Sequence, residues 1–326
     1  MQHHKLFFYS LSSLLLGVSG IAYAEELVNV PELEGGITAS IGTFYVQPSA
    51  ENLNYAVDIT PSGNQSGTLS AADFNSDYSF GTQATLGYLF DETANGIELA
   101  YRNLNSNDSD SGIHDFSTNN GSPEFVPGHS DVNVGYELNA FDLLLSQYVN
   151  IGEHMQLRFN GGLAYVELEQ NAHLHVTYDD LPDNSDGLTV YGEQNNAFTG
   201  WGPRMGIDTR YAFGQGIGIV GNGSIAYYLG ELTVHDHSFK FDQTGQTTFS
   251  SNEHHIDAHA IVNLRANLGL DYVYAFEAAA QSTLGLELGY QVDYYDDAVA
   301  IVPGKTYILP YDVTFSGPYL NLKGVF

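Results

Sequence analysis

The chain has 326 residues and no cysteine, with Lys+Arg 9 against Asp+Glu 39 and a formal net charge of -30. So few basic side chains exclude a nucleic-acid binder, which needs a basic face to neutralise phosphates. The lack of cysteine excludes a disulfide scaffold and thiolate chemistry, and 13% aromatics exclude disorder, because such a chain has apolar surface to bury.

Met1 to Lys5 carries one firm positive charge, Leu6 to Ile21 is mostly apolar, and Ala22-Tyr23-Ala24 is a small-x-small cleavage site. That order predicts a secretory signal peptide over 1–24. A periplasmic N-terminal segment is expected over 25–36. Nothing after Ala24 reaches the roughly 18 apolar residues of a spanning helix. A membrane location for 37–326 therefore demands a closed barrel.

From residue 37 onward the hydropathy pattern has a period of two, the signature of strands. Ten strands are predicted near 37–48, 78–90, 95–105, 132–149, 155–170, 196–213, 216–231, 257–275, 282–295 and 309–326. The two faces differ least in 37–48 and 132–149. In 258–274 the contrast is sharpest: Ala260, Val262, Leu264, Leu268 and Leu270 alternate with His259, Asn263, Arg265, Asn267 and Asp271. Short links at Asp91–Ala94, Asn150–His154, Gly214–Gln215 and Phe276–Gln281 alternate with long ones at 49–77, 106–131, 171–195, 232–256 and 296–308. This is the layout of an all-β, antiparallel transmembrane β-barrel with short periplasmic turns and long extracellular loops. Tyr88, Phe90, Tyr148, Tyr211, Phe213, Tyr272 and Tyr274 are expected to form the periplasmic aromatic girdle. The terminal strand ends on Phe326, which resembles the signal read by the barrel insertion machinery.

Several of these segments resemble the Legionella-type major outer membrane protein family. They are Phe44-Tyr45-Val46-Gln47-Pro48-Ser49, Asn160-Gly161-Gly162-Leu163-Ala164-Tyr165, Trp201-Gly202-Pro203-Arg204-Met205-Gly206-Ile207-Asp208 and Gly317-Pro318-Tyr319-Leu320-Asn321-Leu322. The resemblance implies an outer-membrane porin and assigns no site residue. Cysteine cross-linking, associated with that family, is impossible in this chain.

The polar parity carries the candidate pore lining. Arg102, Arg158, Arg204, Arg210 and Arg265 fall on it, as do Glu98, Asp142, Asp208, Asp271, Glu287 and Asp293. An arginine facing lipid at midplane costs about 2–4 kcal/mol, which is the reason to turn it inward. These groups either line a water channel and screen solutes by charge, or pair and fill a narrow barrel. Because the acids outnumber the arginines, weak cation preference is expected of any conduction. Passive passage of small solutes is the leading reading, and a closed barrel acting as surface adhesin or structural envelope protein is the alternative. The long links are acidic at Asp108, Asp110 and Asp115, at Asp179, Asp180, Asp183 and Asp186, and at Asp296 and Asp297. Solvated surface explains them, and contact with outer-membrane lipid and lipopolysaccharide is the expected partnership.

His173-Leu174-His175 and His235-Asp236-His237 place pairs of imidazoles on one face of a strand, a spacing that zinc can use. Their parity points them outward above the membrane, and His254, His255 and His259 add scattered rim imidazoles. No metal, cofactor or catalytic residue is expected. An omptin-like protease pairing of Asp236 with His235 and His237, or of Asp257 with His255 and His259, is a distant third reading.

Overall fold

The computed structural model describes residues 35–60, 68–74, 76–119, 123–178, 188–241, 247–276, 282–301 and 308–326. The expected signal peptide, the segment 25–34 and the acidic run at 179–186 lie outside the described residues.

The period-two pattern resolves into strands β1 (Gly36–Ala50), β2 (Asn54–Thr60), β3 (Thr68–Asp73), β4 (Ser79–Leu89), β5 (Asn95–Asn119) and β6 (Pro123–Ile151). They continue as β7 (Met155–Tyr178), β8 (Leu188–Gly214), β9 (Ile217–Phe241), β10 (Thr247–Ala275), β11 (Thr283–Ile301) and β12 (Leu309–Val325). Ten of them, β1 and β4 to β12, pair antiparallel in a closed ring. β1 is held by β4 on one side and by β12 on the other, and β5 joins β6. Closure satisfies every ladder and leaves no edge in lipid. Ile37 and Phe326 exchange both backbone hydrogen bonds at 2.9 Å, so the two ends of the ring meet at the short-turn rim. The turn between β8 and β9 is made tight by positive φ at Gly214, Gln215 and Gly216.

The expectations about the long links need correction. Residues 106–131, 171–195 and 232–256 are mostly strand: β5 to β10 run 24 to 29 residues each, where about 9–11 suffice to cross a bilayer. Residues 49–77 contain the β2–β3 hairpin and a 3-10 turn at Glu51–Leu53, whose Leu53 is buried inside the ring beside Phe74. Likewise β11 continues through Asp296 and Asp297 to Ile301, with Ala298, Val299 and Ala300 fully buried.

The cause of the long strands is an inversion of polarity along each one. On the lower part of β6, Phe141, Leu143 and Leu145 are exposed on the outside while Asp142 and Ser146 are buried inside. Above Phe141 the outward positions become Asn139, Glu137, Asn133 and Asp131, and the inward ones Leu138, Tyr136, Val134 and Val132. On β7 the outward Phe159, Leu163 and Tyr165 give way to Glu167, Glu169, Asn171 and His173, over an inside of Leu168, Leu174 and Val176. The lower ring is thus apolar outside, as lipid demands, and the upper ring apolar inside, as water demands.

Aromatic pairs mark both edges of the apolar band, where amphipathic rings sit at headgroup level. At the short-turn edge Tyr88 meets Phe90 at 5.6 Å, Tyr211 meets Phe213 at 5.4 Å and Tyr274 meets Phe276 at 5.1 Å. At the other edge Tyr101, Phe141, Tyr165 and Trp201 are successive cross-strand partners. Tyr148 is a correction: it shares Asp142's parity, faces the lumen and lies 5.8 Å from the Arg158 guanidinium.

Candidate functional site

The inward positions of the lower ring form a charged chamber. Arg158, on β7, donates to Glu98 on β5 through both terminal nitrogens (2.7 and 3.3 Å) and to Asp208 on β8 through Nε (2.6 Å). Asn160 and Asn222 complete Asp208 at 3.1 and 2.8 Å. Arg210 binds Asp271 at 2.5 Å, and Arg204 binds Asp142 at 2.8 Å and Ser224 at 3.2 Å. Higher up, Arg102 pairs with Asp293 across the lumen, and Asn263 also donates to Asp293 at 2.6 Å. Arg265 is held by amide oxygens, Gln83 at 3.0 Å and Gln291 at 3.4 Å. Bidentate and charge-assisted bonds of this kind are the strong class. Arg158–Glu98, Arg204–Asp142, Arg210–Asp271, Arg102–Asp293 and Arg265–Gln83 each also fix one strand against another two or more places away in the ring.

All eleven residues predicted on the polar parity point inward. Ten of them line one cavity of about 390 Å³, reaching from Thr283 and Val325 at the short-turn rim up to Arg102, Arg204 and Arg265. Asp293 sits just above it, 2% exposed. A twelfth charged group was missed. Lys323 lines the same cavity and pairs with Glu287, which also accepts from Tyr319 Oη at 2.7 Å. Its signal was present, since Leu320 and Leu322 face out and leave Asn321 and Lys323 facing in. Six cations therefore meet six carboxylates in this chamber.

Above the chamber the inward positions close over it. Leu104, Tyr136, Leu138, Leu168, Phe198, Tyr228, Tyr295 and Phe315 are all buried and belong to one apolar cluster inside the ring. Tyr136 on β6 and Phe315 on β12 meet edge-on at 5.8 Å, nearly across the barrel. Glycine makes room where the layer is deepest: a Cβ on Gly289 would stand 2.7 Å from the Tyr319 ring. A chain of amides lies on top. Asn52 and Gln170 exchange bonds at 2.7 and 3.0 Å, and Gln170 donates to Tyr136 Oη at 3.1 Å. Asn196 donates to Gln170 at 3.1 Å and accepts from the Ala300 backbone at 2.9 Å. Gln194 donates to Ala300 O at 2.7 Å. Sequence reasoning missed this layer because its residues share the parity of the charged chamber.

Outside the ring and above the apolar band, His173, His175, His235 and His237 point outward, as their parity predicted. His175 stacks on Tyr191 at 4.4 Å. Asp236 faces the other way from His235 and His237; burial raises its carboxyl pKa, and His237 and His254 pull it down. Asp257 lies exposed at a bulge, with His255 outward and His259 inward bonding Asp297 O at 2.8 Å. Carboxylates of Asp296, Asp297 and Asp312 gather within 4.8 Å of one another near the long-loop rim. They already accept from Tyr294 Oη and the Asp297 backbone.

The family described as the Legionella pneumophila major outer membrane protein precursor matches residues 29–326. No curated protein matches the sequence. Among solved structures, the Escherichia coli outer membrane protease OmpT is similar at 11% identity and a TM-score of 0.45, over 93% of this chain and 99% of that one. A Pseudomonas aeruginosa FadL homologue is similar at 8% identity and a TM-score of 0.27, over 90% of each chain.

Proposed function

Because the chain belongs to the Legionella pneumophila major outer membrane protein family, we propose that it is an outer-membrane barrel closed at rest, which acts as a structural and surface-contact protein of the envelope. The observation that carries this reading is the apolar layer of Tyr136, Leu168, Phe198, Tyr228, Tyr295 and Phe315 over the charged chamber. A hydrated ion crossing that layer would lose its water with only a few tyrosine hydroxyls, Tyr136's already bonded to Gln170, in its place. The tall wall of β5 to β10 supplies the contact surface: a polar, water-facing cylinder standing beyond the bilayer, with the short-turn rim in the periplasm. The reading assigns no catalytic step and no cofactor.

Solute passage is the second reading, favoured by the water-accessible chamber that opens at the short-turn rim. It requires displacement of the apolar layer, and six cations against six acids would then give little ion preference. Planar-bilayer recording on the refolded mature chain separates the two. The closed barrel predicts a silent membrane, with discrete steps only after Leu168→Ala and Phe198→Ala together. Steps from the unaltered chain would establish the pore and overturn the resting closure.

A further inference from the structure

Six of the chain's 12 histidines stand on the outward face of the tall wall: His129, His173, His175, His235, His237 and His255. Carboxylates alternate with them across neighbouring strands. The tightest grouping lies on β9 and β10, and a backbone irregularity creates it. Below Ala258, odd positions of β10 such as Asn263 and Arg265 face the lumen. Ala258 adopts φ 56°, the register shifts between Ile256 and His259, and above it the odd positions Glu253 and His255 face outward. Glu253 then stands directly opposite His235, and His255 opposite Thr233.

We propose that His235, Glu253 and His255 form a binding site for a borderline divalent cation of the zinc class on the outer wall, with Glu231 as the residue that positions His255. One Glu253 oxygen lies 2.8 Å from His255 Nε2 and 3.7 Å from His235 Nε2. Ligand atoms on one tetrahedral zinc stand roughly 3.3 Å apart, from bonds of about 2.0–2.1 Å; the three ligand atoms do not all lie within 4.8 Å of one another as they stand, so rotation of these half-exposed side chains has to bring the two imidazoles onto one ion. His255 presents Nε2 to the site because its other nitrogen is engaged. Nδ1 lies 3.1 Å from Glu231 and 3.1 Å from Thr233 Oγ1. A carboxylate on the far nitrogen of a ligating imidazole fixes its ring orientation and raises its basicity. Two imidazoles and one carboxylate leave the fourth position to water or to a donor from outside. The site rests on the outer wall alone and is independent of whether the lumen conducts.

The test is calorimetric titration of the refolded full barrel with zinc chloride near neutral pH, after chelator treatment. One zinc per chain is expected, with weaker binding as the pH falls and protons compete for the imidazoles. His235→Ala and His255→Ala should each abolish that event. Glu231→Gln should weaken it about 10- to 100-fold and lower the His255 pKa read by NMR, a shift that a merely structural Glu231 would not give. His175→Ala, in the neighbouring patch where Asp131 lies 3.6 Å from His175, should leave it unchanged. A folded barrel that takes up no zinc overturns the proposal. So does a titration unaltered by His235→Ala and His255→Ala, or one lost with His175→Ala instead.

Discussion

The lower and upper halves of the barrel are built from the same strands yet are inside-out copies of each other. Below the belt of Tyr101, Phe141, Tyr165 and Trp201, the outside is leucine and aromatic, and the inside is arginine, carboxylate and amide. Above it the outside is Glu167, Glu169 and Asn171, and the inside is Leu168, Leu174 and Val176. The difference teaches that strand alternation fixes only which residues share a face. Which face is apolar is decided by the solvent at that height, and it reverses where lipid ends. The lower half resembles a membrane barrel held by ion pairs, and the upper half a water-soluble barrel with its own core.

The largest predicted effects break each half by its own mechanism. Phe198→Ala in the upper core should cost about 3–5 kcal/mol, the range for emptying a buried aromatic site. Arg158→Leu in the lower chamber leaves Glu98 and Asp208 facing each other without their cation, and should cost about 3 kcal/mol or more. Urea unfolding followed by fluorescence of Trp201, the single tryptophan, measures both. A barrel that tolerates Phe198→Ala or Arg158→Leu without measurable loss would deny that half its mechanism.

A sharper comparison uses one change at two heights. Leu268→Arg on the lipid face should destabilise the inserted barrel by about 2–4 kcal/mol. Glu167→Arg, outward but above the aromatic belt, should stay within about 0.5 kcal/mol. If both arginines cost the same, the boundary is misplaced.

The smallest effect is on the wall. The folded pKa of His255 is raised by Glu231 and Glu253, so its contribution is fully present below the ordinary 6.5 and is lost as pH rises through the raised value. An NMR titration should show the midpoint fall toward 6.5 in Glu253→Gln. An unmoved midpoint would remove the contact.

Much of the lower half was legible, because lipid imposes a strong contrast between faces. Arg102, Arg158, Arg204, Arg210 and Arg265 could be turned inward from parity alone, and the ten ring strands followed. The upper half was not, because water outside and a mixed core inside weaken that contrast. Asn105, Asp108 and Asp110 continue β5 with polar residues on both faces, and so they resemble a loop. The weak contrast of 132–149 had the same origin: Val132, Tyr136 and Leu138 share the parity of Asp142, so core and chamber average out. Lys323 was readable and missed, and Tyr148 was readable and misassigned. The outward turn of Glu253 and His255 was not readable, since it depends on a positive φ at Ala258 that no residue type announces.

The closed lumen is tested most directly by thiol accessibility, because the chain has no cysteine and any introduced one reports alone. Single cysteines placed at positions 164 to 170 of β7 would be treated with a water-soluble maleimide on the folded barrel. The account predicts fast labelling at 167 and 169 and none at 164, 166 and 168, which lie within the apolar layer. Labelling at 164, 166 and 168 as fast as at 167 would mean that water fills the lumen at this height, and the closed barrel would be wrong.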